Sequence, residues 1–439
     1  MRPRCPVTVG LLLLGVTGAG QALQLGPNDR ERGLLMLRTI RRDLEKRYYD
    51  STFHGVNLAA LCDSAETDIR SAPSNGDIFG IIAGTLLRLN DSHTRFIPPQ
   101  RVASVDYGWS MRMVGDTAFI FDVEPGSDAA AQGLKTGDAV LGVDRYRPTR
   151  RDIHNLLYLY NALNPQEAVS LIVRAPHPGS APRRVIVHAK VTPGKAILDL
   201  SGQDGGTDIW DLIRRGEHAR HASADRFAPV GSDVLVWQLK SFTSEDQMDR
   251  GMKRAADYAG LVVDARNNGG GSVRALMHLM SYFLDHVDTV AMTRRRNETV
   301  PLVSTPSRRP YSGKLVVLVD AGSASATEIF ARTMQRTQRG TILGDTTAGA
   351  VMESRLWPHS IGAEIVVEYW LSVTDADIIM PDGARLENLG VVPDTIVLPS
   401  GKDLADGRDP ALARAITLAG HAVDADAAGR LLPRESERW

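Results

Sequence analysis

Apolar residues recur at three- and four-residue intervals between Asn28 and Leu89. Leu34, Leu35, Leu37, Ile40, Leu44 and Tyr48 form one set. Leu58, Leu61, Ala65 and Ile69 form a second, and Ile78, Ile81, Ile82, Leu86 and Leu87 a third. That spacing puts each set on one face of a helix and predicts a small helical bundle over residues 28–100. Asn75-Gly76 separates the last two helices, and Pro98-Pro99 blocks further regular structure. Over residues 102–195 the pattern changes to short apolar runs with turns, predicting strands at Thr117–Val123, Ala139–Val143 and Val169–Val173. Residues 196–227, rich in Gly, Asp, Arg and His, read as a connector with a short helix near Ile209–Ile213. From 228 to 420, apolar strands alternate with helices. The strands are Val234–Leu239, Gly260–Val263, Leu315–Val319 and Thr341–Leu343; helices fall around Gln247–Ala259, Val273–Leu284 and Glu328–Arg336. This alternation predicts an α/β core with a mainly parallel sheet. A last helix, Pro410–Leu418, precedes a polar tail over 421–439, expected to be mobile.

The chain has 439 residues, 43% of them hydrophobic and 23% charged, enough for two or three domains with their own cores. A net charge of −1 gives no electrostatic reason to expect nucleic acid or an anionic membrane surface as partner. Residues 1–22 have the pattern of a secretory signal: Arg2 and Arg4, an apolar run from Val7 to Val16, and small residues at Gly20-Gln-Ala22. The run is short for a stable membrane span, so a periplasmic or secreted protein is expected. Removing residues 1–22 takes Cys5 away and leaves Cys62 as the one cysteine, expected to be a core residue. No Cys/His cluster suggests a metal, and no cofactor is expected.

Four segments carry candidate chemistry. Leu315–Val319 runs into Ala321-Gly322-Ser-Ala-Ser325 and then a helix, so a serine hydroxyl can sit on a corner with free helical N–H groups beside it. Ser325-Ala-Thr-Glu328 is also a capping box, which leaves open whether Ser325 is a nucleophile or only a cap. Leu261–Asp264 leads into Asn268-Gly-Gly-Gly271, where backbone N–H groups can approach a developing oxyanion or simply make a turn. Asp91-Ser92-His93-Thr94 ends the helical bundle and offers an imidazole. Glu387 precedes a tight turn and offers a carboxylate.

Two resemblances bring these segments together. Glu124-Pro-Gly-Ser through Gly133-Leu134 to Gly137-Asp138 resembles the middle of a PDZ domain. This implies an inserted β-domain over 102–195 that captures extended peptide by strand addition. Tyr107, Gly108 and Trp109 stand where its carboxylate-binding turn would lie, but depart from the usual Gly-Leu-Gly-Phe. The chain from about 30 to 420 resembles the C-terminal-processing (tail-specific) and tricorn-type serine protease superfamily, through Asp264-x-Arg-Asn-Asn-Gly-Gly-Gly, Gly322-Ser-Ala-Ser-Ala-Thr-Glu and Gly344-Asp-Thr-Thr-Ala-Gly349. The resemblance implies a ClpP/crotonase-like core and a serine-type endopeptidase acting on exported polypeptides. It makes Ser325 the nucleophile and assigns the oxyanion hole to the N–H groups of Ala326, Gly270 and Gly271. Members with a Ser–Lys dyad carry their lysine where this chain has Ala350. The resemblance therefore points to His93 as base, with Ser92 and Glu387 as its companions; which of these two orients the ring stays open.

A competing reading is a non-catalytic peptide or hydrophobic-ligand binder on the same fold. The sequence leaves the natural substrate open, and does not decide between a monomer and a homo-oligomer. Arg294-Arg-Arg296 and the loop to Arg309 are either a cover over the site or a solvated face.

Overall fold

The computed structural model describes residue 25 and residues 28–99, 103–193, 224–362 and 366–432. The signal pattern at 1–22 and the helix expected near Ile209–Ile213 lie outside these residues.

Three helices, Asp29–Arg47, Leu58–Ser71 and Asn75–Leu87, form the expected bundle. Asn57 and Ser74 cap the second and third, accepting from Ala60 N–H and Asp77 N–H. Their apolar faces meet in one core with Phe96, Tyr369, Leu371 and Val373. Cys62 belongs to that core, 2% exposed, and burial pushes its thiol up to about 11.

Residues 103–193 form a separate β unit. Its five strands run in the order Trp109–Val114, Thr117–Val123, Ala139–Val143, Ala168–Arg174 and Arg183–His188, each antiparallel to its neighbour. The helix Ile153–Tyr158 contributes Ile153 and Leu156 to its core.

The C-terminal region is built on a six-stranded sheet in the order Thr395–Ile396, Thr341–Gly344, Lys314–Val319, Gly260–Asp264, Val234–Gln238 and Arg226–Val230. All neighbours are parallel except the last pair. Alternate residues serve opposite faces, as a doubly covered sheet requires. Leu235, Trp237, Leu261, Val263, Val317 and Val319 pack under the helices Glu245–Ala255, Val273–Ser281 and Ala326–Arg336. Val234, Val236, Val262, Val316 and Leu318 pack under Pro410–Ala419.

Two features depart from expectation. The polar tail is not free from residue 421 onward. Ala425–Leu431 is a helix capped by Asp424, and its Ala428, 1% exposed, closes the lower face of the core. Between the core helices the chain also builds a second, antiparallel sheet, in which Asp288–Arg294 pairs with Thr299–Ser304 and Met352–Ile361 with the long strand Val367–Ile379. Arg294–Arg296 stands at the turn of the first hairpin and clamps other segments. Arg294 pairs with Asp377, Arg295 with Glu353, and Arg296 donates to the Tyr48 carbonyl. These arginines tie the hairpin to the bundle and the long strand.

The second sheet matters most for its shared strand. Arg95–Ile97, just beyond the bundle, pairs antiparallel with Val367–Ile379 in the register Arg95↔Ser372. An N-terminal segment is thereby stitched into the C-terminal region.

Candidate active site

The strand Lys314–Val319 ends at the corner that presents Ser325, and the helix begins at Ala326. Ser325 has φ 56° and ψ −119°. A serine that merely caps a helix sits in extended backbone. The left-handed φ found here is costly for a residue with a Cβ, and such strain collects at functional corners. The surroundings hold it in place. Ser325 N–H donates to the Ala350 carbonyl at 2.9 Å and to Glu328 Oε2 at 3.1 Å. Ala326 opens the helix, so its N–H has no intrahelical acceptor.

The glycine loop faces this corner. A Cβ on Gly270 would come within 2.8 Å of Ser325 Cβ and 2.9 Å of Ala326 N, so only glycine allows the approach. The Gly270 N–H, however, donates to Asn268 Oδ1 at 2.8 Å. The donor expected from Gly270 is therefore already spent, because the Asn268 side chain folds back to brace the loop, with Nδ2 on the Leu239 carbonyl. Gly271 bridges Phe242 through its neighbours: Phe242 N–H bonds Gly270 O and Ser272 N–H bonds Phe242 O. A residue in that position turns its own N–H to the other side.

His93 comes from the far end of the chain, yet it sits in a rigid frame. Asp91, 6% exposed, accepts from His93 N–H at 2.8 Å, Thr94 N–H at 3.2 Å, Thr94 Oγ1 at 2.9 Å and Thr374 Oγ1 at 2.7 Å. Thr374 lies on the long strand, so the turn is pinned to the second sheet. Glu387 completes the frame. Its Oε1 accepts from Ser92 N–H at 2.9 Å, and its Oε2 from Ser92 Oγ at 2.9 Å and Val351 N–H at 2.7 Å. Ser92 Oγ lies 2.7 Å from His93 Nδ1. With its proton on Glu387, Ser92 Oγ can only accept from the ring, so Nδ1 carries the hydrogen and Nε2 is left bare.

One strap joins the two halves. Ala350 O takes the Ser325 N–H, and the next residue, Val351, gives its N–H to Glu387. Burial lowers the pKa of His93, partly opposed by Asp91, and Arg95 lowers it further. The ring is thus neutral at neutral pH. Burial raises Glu387, opposed by the bonds from Ser92 and Val351.

The sequence model of peptidase family S41 matches residues 233–397, the span that holds the glycine loop, Ser325 and Glu387. A carboxyl-terminal-processing protease of Synechocystis sp. is 33% identical over 371 residues, covering 81% of this chain and 79% of that one. The chain belongs to peptidase family S41. It is a serine-type peptidase, a hydrolase of peptide bonds, and the reading as a non-catalytic binder falls. Another relative, the chloroplastic C-terminal processing peptidase of Tetradesmus obliquus, is 24% identical over 373 residues, covering 82% of this chain and 76% of that one. Among solved structures, mature CPAF complexed with lactacystin superposes with a TM-score of 0.63 at 16% identity. It covers 86% of this chain and 95% of that one, a likeness of fold.

The S41 core makes close contact with the β unit. Arg150 bonds Asp345 Oδ2 at 2.9 Å, Gly115 N–H bonds the same oxygen at 2.7 Å, and His154 hydrogen-bonds the backbone of Ala321. Within the unit, Tyr107 is buried and its hydroxyl is fully engaged by Gln166. Gly108, φ 68°, gives its N–H to Asp106 Oδ1 at 2.8 Å. A carboxylate of the protein itself thus occupies the turn where a peptide carboxylate was looked for. Trp109 begins the edge strand and lines a small cleft with Met111, Leu156 and Tyr160.

Sequence reasoning missed Asp91, Asn268 and Glu328 as organisers of the site. Asp91-Ser-His-Thr94 carried a signal, since an Asp followed two and three residues later by free N–H groups is a turn former. For Asn268 no local signal existed.

Proposed function

We propose that Ser325 is the nucleophile and His93 its general base, oriented directly by Ser92 and at one remove by Glu387. The observation that carries this reading is the chain Glu387–Ser92–His93, with contacts of 2.9 and 2.7 Å, joined through Val351 and Ala350 to Ser325. Ser325 Oγ attacks the scissile carbonyl carbon as its proton passes to His93 Nε2. The C–N bond then breaks and the leaving amine takes that proton. Water, deprotonated by the same ring, hydrolyses the acyl-serine. Ala326 N–H and Gly271 N–H receive the oxyanion, while Gly270 serves by its missing side chain.

The substrates are polypeptides, cut near their carboxyl-terminal ends as the names of the relatives suggest. Residues 1–22 export the chain to a periplasmic or extracellular space. The β unit acts as a PDZ domain inserted before a ClpP/crotonase-like core. The edge of Trp109–Val114, unpaired among the described residues, lies beside the helix Ile153–Tyr158 and takes an extended segment as an added strand. With Asp106 in the turn, an internal segment fits there better than a free carboxylate.

A fluorophosphonate probe tests the assignment. The wild-type protein should be labelled, Ser325→Ala not at all and His93→Ala far more slowly. Labelling of Ser325→Ala at the wild-type rate sinks the proposal.

A further inference from the structure

Glu328 was legible in the sequence only as the acidic partner of a helix cap. In the structure it has no exposed surface and receives four hydrogen bonds. Oε1 accepts from Thr347 Oγ1 at 2.5 Å and Gly349 N–H at 2.8 Å; Oε2 accepts from Ala350 N–H at 2.8 Å and Ser325 N–H at 3.1 Å. A helix cap explains one of these bonds. The other three reach into the strap over residues 347–350, which belongs to a different loop. That strap has no base of its own, since Ala350 stands where a dyad lysine would be. Its carbonyl at 350 holds Ser325 N–H, its Gly349 carbonyl takes Asn388 N–H at 2.7 Å, and Val351 N–H holds Glu387.

We propose that Glu328 is a positioning residue that sets the register between the Ser325 corner and the His93–Ser92–Glu387 relay by gripping the 347–350 strap. It touches no reacting atom. Three of its four donors are backbone N–H groups that cannot turn around to become acceptors, so only the carboxylate satisfies all of them together. A protonated carboxyl spends one oxygen as a donor. Thr347 Oγ1, which accepts from Val391 N–H at 2.6 Å, could receive it on its second lone pair only by turning its own proton away from Glu328, which loses the present bond.

The grip is therefore sensitive to charge. Burial pushes the Glu328 carboxyl up to about 7, with the bonds from Thr347, Ala350, Gly349 and Ser325 opposing it. The groups facing it are the neutral donors of Ser325, Thr347, Gly349 and Ala350; the charged group next along the strap is Glu387, met at Val351. The competent form is the ionised one, so alignment is lost as pH falls through about 7. His93, lowered by burial, protonates at more acid pH. The acid side of the kcat profile then contains two ionisations and steepens toward a slope of two.

The inference rests on the assignment of Ser325 and His93. In Glu328→Gln, kcat should fall on the order of tenfold to a hundredfold, by analogy with the loss of an orienting group. KM should stay within about twofold, because no substrate contact is lost. The ionisation near neutral pH should vanish from its profile, leaving the limb of His93 alone. Thr347→Val keeps the carboxylate but removes one stabilising donor, so the upper ionisation should move to higher pH. A Glu328→Gln profile that keeps both ionisations, or wild-type kcat in that variant, overturns the proposal. Should Glu328→Gln fail to fold, an unmoved profile in Thr347→Val overturns it equally. A Ser325→Ala protein that still turns over substrate defeats the underlying assignment, independently of either Glu328 outcome.

Discussion

The two halves of the proposed active site are made in different ways. The nucleophile corner is local. A buried strand, a turn of small residues and a helix are consecutive in the chain, and the backbone of Ser325 is bent by contacts on either side of it. The base is assembled. His93 stands on a turn pinned to Thr374, addressed by Ser92, which is addressed in turn by Glu387, 295 residues away. The environments differ as well. Burial acts on both, but it raises the Glu328 acid to about 7 and lowers the His93 base. The corner's backbone path is set by consecutive residues and braced by the glycine loop and the 347–350 strap, whereas the base depends on segments from both ends of the chain.

The largest effect separates chemistry from assembly. Ser325→Ala should lose roughly thousandfold or more in kcat. His93→Ala should lose about as much, because a serine without its base is a poor nucleophile and triad members act as a unit. Near-normal turnover in His93→Ala would break the comparison, since the base would then lie elsewhere. Ser92→Ala tests the assembled half. With no hydroxyl to accept from Nδ1, the tautomer is no longer fixed, and kcat should fall about a hundredfold with KM little changed. Glu387→Gln should cost less, about tenfold, since the amide oxygen can still take Val351 N–H or Ser92 while charge is lost. If Glu387→Gln proves more damaging than Ser92→Ala, the glutamate acts on the ring directly, and the order of the relay is wrong.

A stability measurement sharpens the contrast further. Asp91→Ala strands two hydroxyls and two N–H groups in a buried place, and should cost about 2–3 kcal/mol, read as a lower melting temperature. Gly270→Ala strikes the local half instead. Its Cβ would meet Ser325 and Ala326 within 3 Å at a φ of 97°, so activity should fall together with some stability. Wild-type activity in Gly270→Ala would remove the distinction. The smallest effect is expected at Cys62. Its thiol is buried and raised to about 11, so alkylating reagents should leave the native enzyme's activity unchanged.

Much of the frame was legible because its signals are short-ranged. The strand at Thr117–Val123 and that at Ala139–Val143 have the bounds that their apolar runs predict. The parallel strands followed from continuous apolar runs between helices. The second sheet was not legible. Val367–Ile379 mixes polar and apolar residues, and Ser372, Thr374 and Asp377 are buried on it with partners brought from elsewhere. The tail helix Ala425–Leu431 was missed for a similar reason: its short alanine face is apolar only against a surface already present. Glu328 was visible as a residue and hidden as a function, because three of its four donors come from another loop.

By itself, then, the chain's order of residues determined the strands, the helices, the serine corner and the glycine loop facing it, since each is set by neighbours within a few positions. Tertiary structure alone decided where the imidazole that follows the amino-terminal bundle would lie relative to that corner. The pairing of Arg95–Ile97 with Val367–Ile379 stitches the His93 turn into the C-terminal region, where the buried Asp91 and the half-buried Glu387 hold it, while the buried Glu328 holds the strap beside Ser325. Glu328 and Glu387 are tolerated there because distant segments supply most of their donors, while Asp91 takes three of its four from its own turn and one from Thr374; no local pattern records where the distant donors will come from.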